Sequence, residues 1–462
     1  MNRKVVVLFL LGLLFFSCKE ETLFTKIEAE DSGITFSNRI IENDSMNILK
    51  FEYVYNGSGV GIADFDNDGL QDVFFSGNQV ENQLYLNQGN FKFNNITKKA
   101  GISNKGRWCS GVTTVDINAD GLMDVYVSAT VKSSPKDREN LLYVNQGLKN
   151  GVPFFKEMGA EYGVNDNGHS ENATFFDYDN DGDLDLYVVT NIIDIYPNQY
   201  REKKTDGSHP NTDRLYRCDW DSKMGHPVYV NVSKEAGILI EGHGLGVNVF
   251  DLNKDGWKDI YVTNDYLSDD LLYINNQDGT FTDMASKYFK HTSQSAMGND
   301  VGDLNNDGYL DILSMDMLAK NNQRKKVLTG PNNYQSYIFN STFNYTFQYM
   351  RNNLQINNGI DSKNNPMFSE VSFLAGIGET DWSWTPSIAD FDNDGYKDIV
   401  ITNGFPKDVT DRDFMAFRSE SERIATADFV LAQIPEVKIS NYAFRNKGNL
   451  EFENVTQKWG MD

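Results

Sequence analysis

The stretch that decides the fold is residues 64–72, which read Asp64-Phe65-Asp66-Asn67-Asp68-Gly69-Leu70-Gln71-Asp72. Side-chain oxygens stand at positions 1, 3, 5 and 9 of this loop, and a glycine at position 6 permits a sharp turn. We expect the side chains at positions 1, 3 and 5 and the carbonyl at position 7 to converge, and the acid at position 9 to close the shell. An all-oxygen ligand set on a flexible loop predicts Ca²⁺ rather than Mg²⁺ or Zn²⁺.

The same loop occurs six times along the chain. The predicted ligands at positions 1, 3, 5 and 9 are Asp64, Asp66, Asp68 and Asp72; Asp116, Asn118, Asp120 and Asp124; Asp177, Asp179, Asp181 and Asp185; Asp251, Asn253, Asp255 and Asp259; Asp303, Asn305, Asp307 and Asp311; and Asp390, Asp392, Asp394 and Asp398. Asp, Asn and Gly also form plain turns, but a plain turn needs no acid at position 9, and all six copies have one. The sequence therefore predicts up to six Ca²⁺ ions, bound more weakly by the three copies with Asn at position 3.

The first residues have the pattern of a signal peptide. A short basic region precedes an apolar run of 12 residues, Val5 to Phe16, which is too short to span a bilayer, and Cys18 follows closely. Residues 1–17 resemble a bacterial lipoprotein signal peptide, which makes Cys18 the lipidated residue and residues 18–22 a tether. An ordinary secretory signal with an incidental cysteine is the alternative. The acidic residues that follow resemble a tag for surface display, so we expect an outer-membrane lipoprotein exposed at the cell surface.

Composition limits the partners and the cross-links of the chain. The net charge is −24, and six Ca²⁺ ions would halve it. This acidity argues against nucleic acid as a partner. Two further cysteines, Cys109 and Cys218, could form a disulfide in an oxidising compartment or could remain as two buried free thiols.

Each acidic loop belongs to a longer repeat. In the first unit, Gly59 to Phe65 predicts strand A, Asp72 to Ser76 strand B, Asn82 to Asn87 strand C and Phe91 to Thr97 strand D. The same order recurs in units at about 57–102, 108–164, 170–238, 244–290, 296–377 and 383–462. Four short antiparallel strands per unit are typical of a β-propeller, whereas β-helix units, the alternative, are shorter and lack this hairpin order. The sequence predicts an all-β propeller over residues 23–462, with the calcium loops between strands A and B.

Insertions and the N-terminal segment extend this plan. Long B–C insertions are expected in units 3, 5 and 6, at roughly 192–212, 318–348 and 405–439, the last with a helix over 411–433. A–B turns and B–C connections leave a blade on opposite faces, so we expect the cation loops and the insertions on opposite faces. Residues 22–56 begin like a strand D without its partners, so either they form a partial seventh blade or the chain is a truncated form of a longer one.

The units resemble FG-GAP or VCBS repeats, the calcium-loop blades also seen in integrin α-chain heads. The stretch Asp381 to Gly395, with Thr402-Asn403-Gly404 and Asp411 to Phe414, resembles the cartilage acidic protein and ASPIC/UnbV group, which includes many bacterial lipoproteins. The resemblance covers residues 23–462 and implies a calcium-binding propeller. Larger members of the group carry a C-terminal ASPIC/UnbV domain that these residues do not include, so nothing of that domain's role is carried over.

Aromatic side chains suggest where a partner would bind. Tyr334 and Tyr337 lie in the insertion of unit 5, and Trp382 and Trp384 lie on the connection into unit 6, on the same expected face. Exposed aromatics stack on sugar rings or anchor protein partners, whereas packing of the insertions is the alternative. Our hypothesis is a surface-anchored binding or adhesion module for a protein or glycan, held at the membrane by its lipid alone.

Catalysis has little support in the sequence. None of the five His residues has a zinc-ligand spacing, and neither a Gly-x-Ser-x-Gly elbow nor a phosphate loop is present. A polysaccharide lyase or hydrolase is kept as an alternative, because a catalytic carboxylate pair is defined by its separation in space. A structural subunit of a surface complex is the third class of function.

Overall fold

The computed structural model describes residues 22–192, 198–328, 334–362, 365–421 and 424–462. The predicted signal peptide and Cys18 lie outside these residues. Within them, six four-stranded antiparallel sheets form the blades of a β-propeller, and the helices are few and short. The predicted fold class is therefore confirmed.

The strands of each blade, A to D, follow one another along the chain and across the sheet. The strands of blades 1 to 3 are Val60–Ala63, Asp72–Phe75, Gln83–Asn87 and Phe93–Asn95; Trp108–Val115, Asp124–Thr130, Leu141–Lys149 and Val152–Glu157; and Ser170–Phe176, Asp185–Thr190, Arg214–Asp221 and His226–Asn231. Those of blades 4 to 6 are Gly244–Phe250, Asp259–Asn264, Leu271–Asn275 and Phe281–Asp283; Asn299–Gly302, Asp311–Ser314, Asn353–Ile360 and Pro366–Glu370; and Ser383–Ala389, Asp398–Asn403, Tyr442–Asn446 and Phe452–Asn454. A further pair of two-residue parallel strands is Thr292–Ser293 and Gln348–Tyr349.

The hydrophobic core lies between neighbouring blades. Strand A is the inner strand, and these strands contact one another in chain order from blade 1 to blade 6. The middle of strand B is completely buried, as Tyr126 and Tyr187 show. Phe65 of blade 1 packs edge-to-face on Phe155 of blade 2, with ring centroids 5.8 Å apart. Each blade therefore depends on its neighbour to bury its apolar face.

A short helix closes several blades. These helices are Thr97–Ala100, Gly159–Tyr162, Ala285–Tyr288 and Thr456–Trp459. A glycine at positive φ follows three of them, and Gly163, with φ 77°, shows why. A Cβ at Gly163 would lie 2.7 Å from the carbonyl oxygen of Tyr229 in strand D of blade 3. Both the left-handed backbone and this close approach require glycine.

The insertions between strands B and C carry the longer helices. Asn322–Val327 and Tyr334–Thr342 lie in the insertion of blade 5, and Arg412–Ser421 and Ala427–Leu431 lie in that of blade 6. The helix expected over residues 411–433 is therefore confirmed only in part: it is two helices, and Thr426 caps the second by accepting a hydrogen bond from the Phe429 amide. No described helix is both long and apolar enough to cross a membrane.

The N-terminal residues 22–56 contain no paired strand among those described. They include the helix Ala29–Ser32 and the 3₁₀ helix Glu52–Tyr55. The Tyr53 hydroxyl donates a 2.9 Å hydrogen bond to Oδ2 of Asp265, which follows strand B of blade 4. The end of this segment therefore crosses the face on which the B–C connections leave the blades.

The two described cysteines are not bonded to each other. Cys109 and Cys218 are both free and buried, in the cores on either side of blade 2. Burial raises the pKa of each thiol to about 12. The disulfide alternative is wrong, and the two cysteines act as small apolar core residues.

Candidate functional site

Each acidic loop is held in shape by its own carboxylates. In blade 1, Asp64 accepts hydrogen bonds from the amides of Asp68 at 3.1 Å and Gly69 at 2.8 Å, and Asp68 accepts one from Leu70 at 2.8 Å. The residue at position 4, Asn67, adopts φ 57°, and Gly69 adopts φ 91°. The bond from the position-6 glycine to the position-1 carboxylate recurs in the other five loops, at Asp116, Asp177, Asp251, Asp303 and Asp390.

The acid at position 9 joins the loop to the blade. Asp72 Oδ2 accepts from the Phe65 amide at 2.9 Å, and its Oδ1 accepts from the Asn87 amide at 2.8 Å. All six acids at this position are at least 99 % buried. Burial raises the pKa of Asp72 to about 6 and that of Asp185 to about 8, although the backbone amides oppose the shift. A cation at this position would favour the ionised carboxylate.

Three of the loops gather carboxylates tightly enough for a metal ion. Oxygens at positions 1, 3 and 9 lie within 4.8 Å of one another in blades 1, 3 and 6, in the triplets Asp64, Asp66, Asp72; Asp177, Asp179, Asp185; and Asp390, Asp392, Asp398. The position-5 carboxylates do not belong to these triplets, so their role as ligands stays a prediction. Position 5 instead accepts the amide of position 7, as Asp68 does from Leu70.

The loops with Asn at position 3 are arranged differently. Asn118 Nδ2 donates to Asp120 Oδ2 at 3.0 Å, and the same bond joins Asn253 to Asp255 at 2.9 Å and Asn305 to Asp307 at 2.9 Å. Because position 3 carries an amide, these three loops cannot form the same triplet of carboxylates.

The donor set of the triplets fits a hard cation. Every ligand is a carboxylate oxygen, which is the type that Ca²⁺ and Mg²⁺ prefer. Oδ1 of Asp179 and Oδ1 of Asp392 are buried, and neither accepts a hydrogen bond from a described residue. Buried acceptors without donors are costly, and a bound cation would satisfy them. These clusters can therefore hold a metal ion.

An arginine that the sequence reasoning missed lies against the loop of blade 6. Arg445 Nε is 2.6 Å from Asp392 Oδ2, and its Nη2 is 2.8 Å from Asp394 Oδ2. At the equivalent position of strand C, blade 3 has Arg217, whose guanidinium contacts Asp219, and blade 1 has Leu86. The guanidinium offsets the loop's charge and competes with a metal ion for Asp392, so we expect tighter binding by the loop of blade 1.

The predicted aromatic face is only partly exposed. Trp382 exposes 7 % of its surface and stacks on Phe405 at 4.4 Å, so it is not available to a ligand and this part of the prediction is wrong. Trp384 is half-buried, and its Nε1 donates to the Gly404 carbonyl at 2.7 Å. By contrast, the two tyrosines of the blade 5 insertion are exposed, by 77 % for Tyr334 and 46 % for Tyr337.

The two exposed tyrosines form a small aromatic surface. Their rings are nearly parallel, at 18°, with centroids 6.4 Å apart. Tyr337 also stacks on Phe347, at 4.8 Å and 9°. Both tyrosines stand on the first turn of the helix Tyr334–Thr342, whose Asn340 accepts a 2.7 Å hydrogen bond from Tyr200 of the blade 3 insertion. The surface is therefore supported from beneath by a second insertion.

Ion pairs fix the blade 5 insertion to blade 6. Arg324 makes a two-pronged contact with Asp381, through Nε and Nη2 at 2.8 Å each, and its Nη1 contacts Asp408 Oδ2 at 2.7 Å. The Asp408 side chain is almost completely buried. Two hydrogen bonds in parallel give a carboxylate contact a fixed geometry. Sequence reasoning missed Arg324, because its partners lie in another repeat.

Comparison with known proteins agrees with this geometry. The family model described as an FG-GAP-like repeat matches residues 64–127 and 251–314, each of which begins at position 1 of an acidic loop. The chain is a β-propeller that carries FG-GAP-like repeats in these two segments. This propeller resembles the cartilage acidic protein group, since cartilage acidic protein 1 of Mus musculus is 24 % identical over 207 residues, which are 45 % of this chain. The match covers 28 % of that relative, so the chain corresponds to little more than a quarter of its length.

Two solved structures are also similar. One is an Agrocybe aegerita lectin, described as specific for non-reducing terminal N-acetylglucosamine, with 15 % identity, a TM-score of 0.41 and coverage of 87 % of this chain and 82 % of the lectin. The other is a GH43 β1,3-galactosidase with galactodeoxynojirimycin, with 13 % identity, a TM-score of 0.31 and coverage of 68 % of this chain and 93 % of the galactosidase.

Proposed function

We propose that this FG-GAP propeller is a calcium-binding recognition module of the cell surface, which binds a protein or glycan partner and performs no catalysis. Ca²⁺ in the acidic loops would stiffen the A–B hairpins, and the insertions of blades 3, 5 and 6 would form the binding surface. Loops on a rigid scaffold are where binding usually resides.

The carboxylate triplets support calcium as the bound ion. Asp64, Asp66 and Asp72 would hold it in blade 1, and the corresponding residues would hold it in blades 3 and 6. Calcium tolerates the irregular, carboxylate-rich loops found here, whereas Mg²⁺ demands near-ideal octahedral geometry and keeps more of its water. The three Asn-containing loops complete the proposed maximum of six ions, at lower affinity.

The exposed pair Tyr334 and Tyr337 is the observation that carries the recognition proposal. Exposed aromatic rings in a parallel arrangement offer a stacking surface for sugar rings or for apolar side chains of a protein. The ion pairs of Arg324 and the support from Tyr200 hold this surface in one place. A fixed aromatic surface loses little conformational entropy when it binds.

We expect the double substitution Tyr334→Ser with Tyr337→Ser to weaken binding at least about tenfold, because aromatic anchors dominate binding surfaces. The probes are an array of polysaccharides and an extract of cell-envelope proteins, each tested for saturable binding. The matched control is Trp220→Ser, since Trp220 is 61 % exposed and lies at the C–D turn of blade 3, on the face of the cation loops.

The same experiment separates the classes of function. Equal loss in the Trp220→Ser control, or unchanged binding in the double variant, would reject the aromatic surface as the binding site. Turnover of a bound polysaccharide would replace the binding module with a lyase or hydrolase. Retention of one fixed protein partner by both variants would favour a structural subunit.

We also propose that Cys18 carries a lipid that anchors the protein in the outer membrane, at the cell surface. The apolar run before Cys18 supports this proposal. We expect radioactive palmitate to label the wild-type protein and the Cys109→Ser control but not the Cys18→Ser variant. Equal labelling of all three proteins would place the lipid elsewhere.

A further inference from the structure

The acidic loops are joined to one another in three pairs. In each pair, the asparagine at position 4 of one loop donates a hydrogen bond from its side chain to the position-6 carbonyl of the loop in the next blade. These bonds run from Asn67 to Gly121 at 3.2 Å, from Asn180 to Gly256 at 3.4 Å and from Asn306 to Gly395 at 3.1 Å. They join blade 1 to blade 2, blade 3 to blade 4, and blade 5 to blade 6.

The junctions between these pairs lack the bond. Position 4 is Ala119 in blade 2, whose side chain has no donor, and Lys254 in blade 4. The ammonium of Lys254 lies 4.0 Å from the centroid of the Tyr309 ring in the loop of blade 5. A fixed positive charge there repels a cation in that loop, whereas the neutral amide of an asparagine does not. The three pairs are therefore separate units.

The asparagine is not needed for the shape of its own loop. Asparagine is common at positive φ, because its short polar side chain tolerates the left-handed conformation. Ala119 and Lys254, however, adopt φ 56° and 61° at the same position, against 57° for Asn180. The turn forms with other residues, so what the asparagine adds is the bond to the next loop.

This bond reaches a predicted cation ligand of the second loop through a single peptide group. In blade 4, the peptide group between Gly256 and Trp257 accepts from Asn180 at its carbonyl. Its N–H donates to Oδ1 of Asp255, the predicted ligand at position 5, at 2.9 Å. Hydrogen bonds at the two ends of one peptide group strengthen each other. The same N–H bond is made by Leu122 to Asp120 and by Tyr396 to Asp394.

Each pair contains one loop of each kind. Blades 1, 3 and 6 have the carboxylate triplets, and blades 2, 4 and 5 have Asn at position 3. On the donor side of the second pair, Asn180 stands between Asp179 and Asp181, the predicted ligands at positions 3 and 5. A cation that fixes these two carboxylates also fixes Asn180. The partner loop then loses less conformational freedom when it binds its own cation.

We propose that the asparagines at position 4 couple the loops in pairs, so that a cation in one loop raises the affinity of its partner for a second cation. This inference rests on the proposed role of the loops in calcium binding. Coupling between two binding sites is reciprocal, so the loop with the triplet supports its weaker partner whichever of the two supplies the asparagine. Asn67, Asn180 and Asn306 are thus positioning residues for the cation of the neighbouring blade.

The pair of blades 3 and 4 contains its own reporter. Trp257 stands at position 7 of the blade 4 loop, next to the predicted cation. Light absorbed by a tryptophan makes a nearby Tb³⁺ ion luminesce, and Tb³⁺ takes oxygen ligands as Ca²⁺ does. The emission that the substitution Trp257→Phe removes therefore belongs to the blade 4 loop. Its growth with Tb³⁺ concentration gives the affinity of that loop, and added Ca²⁺ should displace the ion.

Asn180→Ala is expected to weaken Tb³⁺ binding by the blade 4 loop about threefold to tenfold, the worth of one hydrogen bond. The matched control is Asn306→Ala, which removes the same bond from the pair of blades 5 and 6 and should leave the blade 4 loop unchanged. Asp179→Asn weakens the blade 3 loop by giving it the position-3 residue native to blades 2, 4 and 5. This substitution should also weaken the blade 4 loop, but not further when Asn180→Ala is present.

The outcomes separate the coupling from the role of calcium. Equal affinity of the blade 4 loop in the wild type and in Asn180→Ala would overturn the coupling and leave calcium binding intact. A blade 4 loop that binds more tightly in Asp179→Asn would also overturn it, because repulsion between cations, which salt screens beyond about 8 Å, would then dominate. A lower melting temperature of Asn180→Ala than of Asn306→Ala in excess EGTA would reject the coupling in favour of a structural role. A wild type without emission from Trp257 would reject cation binding by this loop, and the coupling with it.

Discussion

Excess EGTA is expected to lower the melting temperature of the propeller by roughly 10 °C. A ligand that binds only the folded state stabilises it by about 2.7 kcal/mol per site at 100 times its Kd, so three occupied triplets contribute about 8 kcal/mol. Each kcal/mol is worth on the order of 1–2 °C in a chain of this size. Without a cation, the carboxylates at positions 1, 3 and 9, whose oxygens lie within 4.8 Å of one another, repel one another.

The control for chelation is to add Ca²⁺ or Mg²⁺ back and to record the melting temperature again. Added Ca²⁺ should return the curve to its starting position, and Mg²⁺ should do so poorly, because its small octahedral shell suits these loops less well. A melting curve that excess EGTA does not move would contradict a stabilising role for calcium.

The substitution Arg324→Met is expected to lower the free energy of unfolding by about 3 kcal/mol, the cost of leaving buried charges without their partner. Arg324 contacts both Asp381 and Asp408, and the Asp408 side chain is 2 % exposed. Urea unfolding at pH 7, followed by tryptophan fluorescence, measures the change.

The neighbouring Lys325→Met is the matched control. Its partner Glu379 is 25 % exposed, so we expect a loss below about 1 kcal/mol. Equal losses in the two variants would show that Arg324 does not anchor the insertion. The anchoring also means that deletion of residues 321–343 would strip two acids of their partner, so substitution of the exposed tyrosines is the cleaner test of binding.

The propeller could be predicted because its repeat is local. The acid at position 9 is the first residue of strand B in every copy. Its two oxygens accept hydrogen bonds from the amides of position 2 and of strand C, as Asp72 does from Phe65 and Asn87. A pattern that fixes a hairpin within one blade is readable from neighbouring residues. Six copies of it then leave few architectures other than a propeller.

The parts that sequence reasoning missed depend on contacts between distant residues. Arg445 reaches Asp392 across 53 positions, and Arg324 reaches Asp408 across 84. Trp382 is buried because Phe405, from the blade 6 insertion, stacks on it. The role of position 5 stays a prediction for a different reason. Asp68 satisfies a loop amide, and a ligand pattern cannot separate that role from metal binding.

The most direct test of the calcium-stiffened propeller is a crystal structure grown with Ca²⁺, with anomalous difference maps. We predict calcium peaks among positions 1, 3 and 9 of blades 1, 3 and 6, with the highest occupancy at Asp64, Asp66 and Asp72 of blade 1. Maps that show no anomalous peak at any of the three triplets would contradict this prediction.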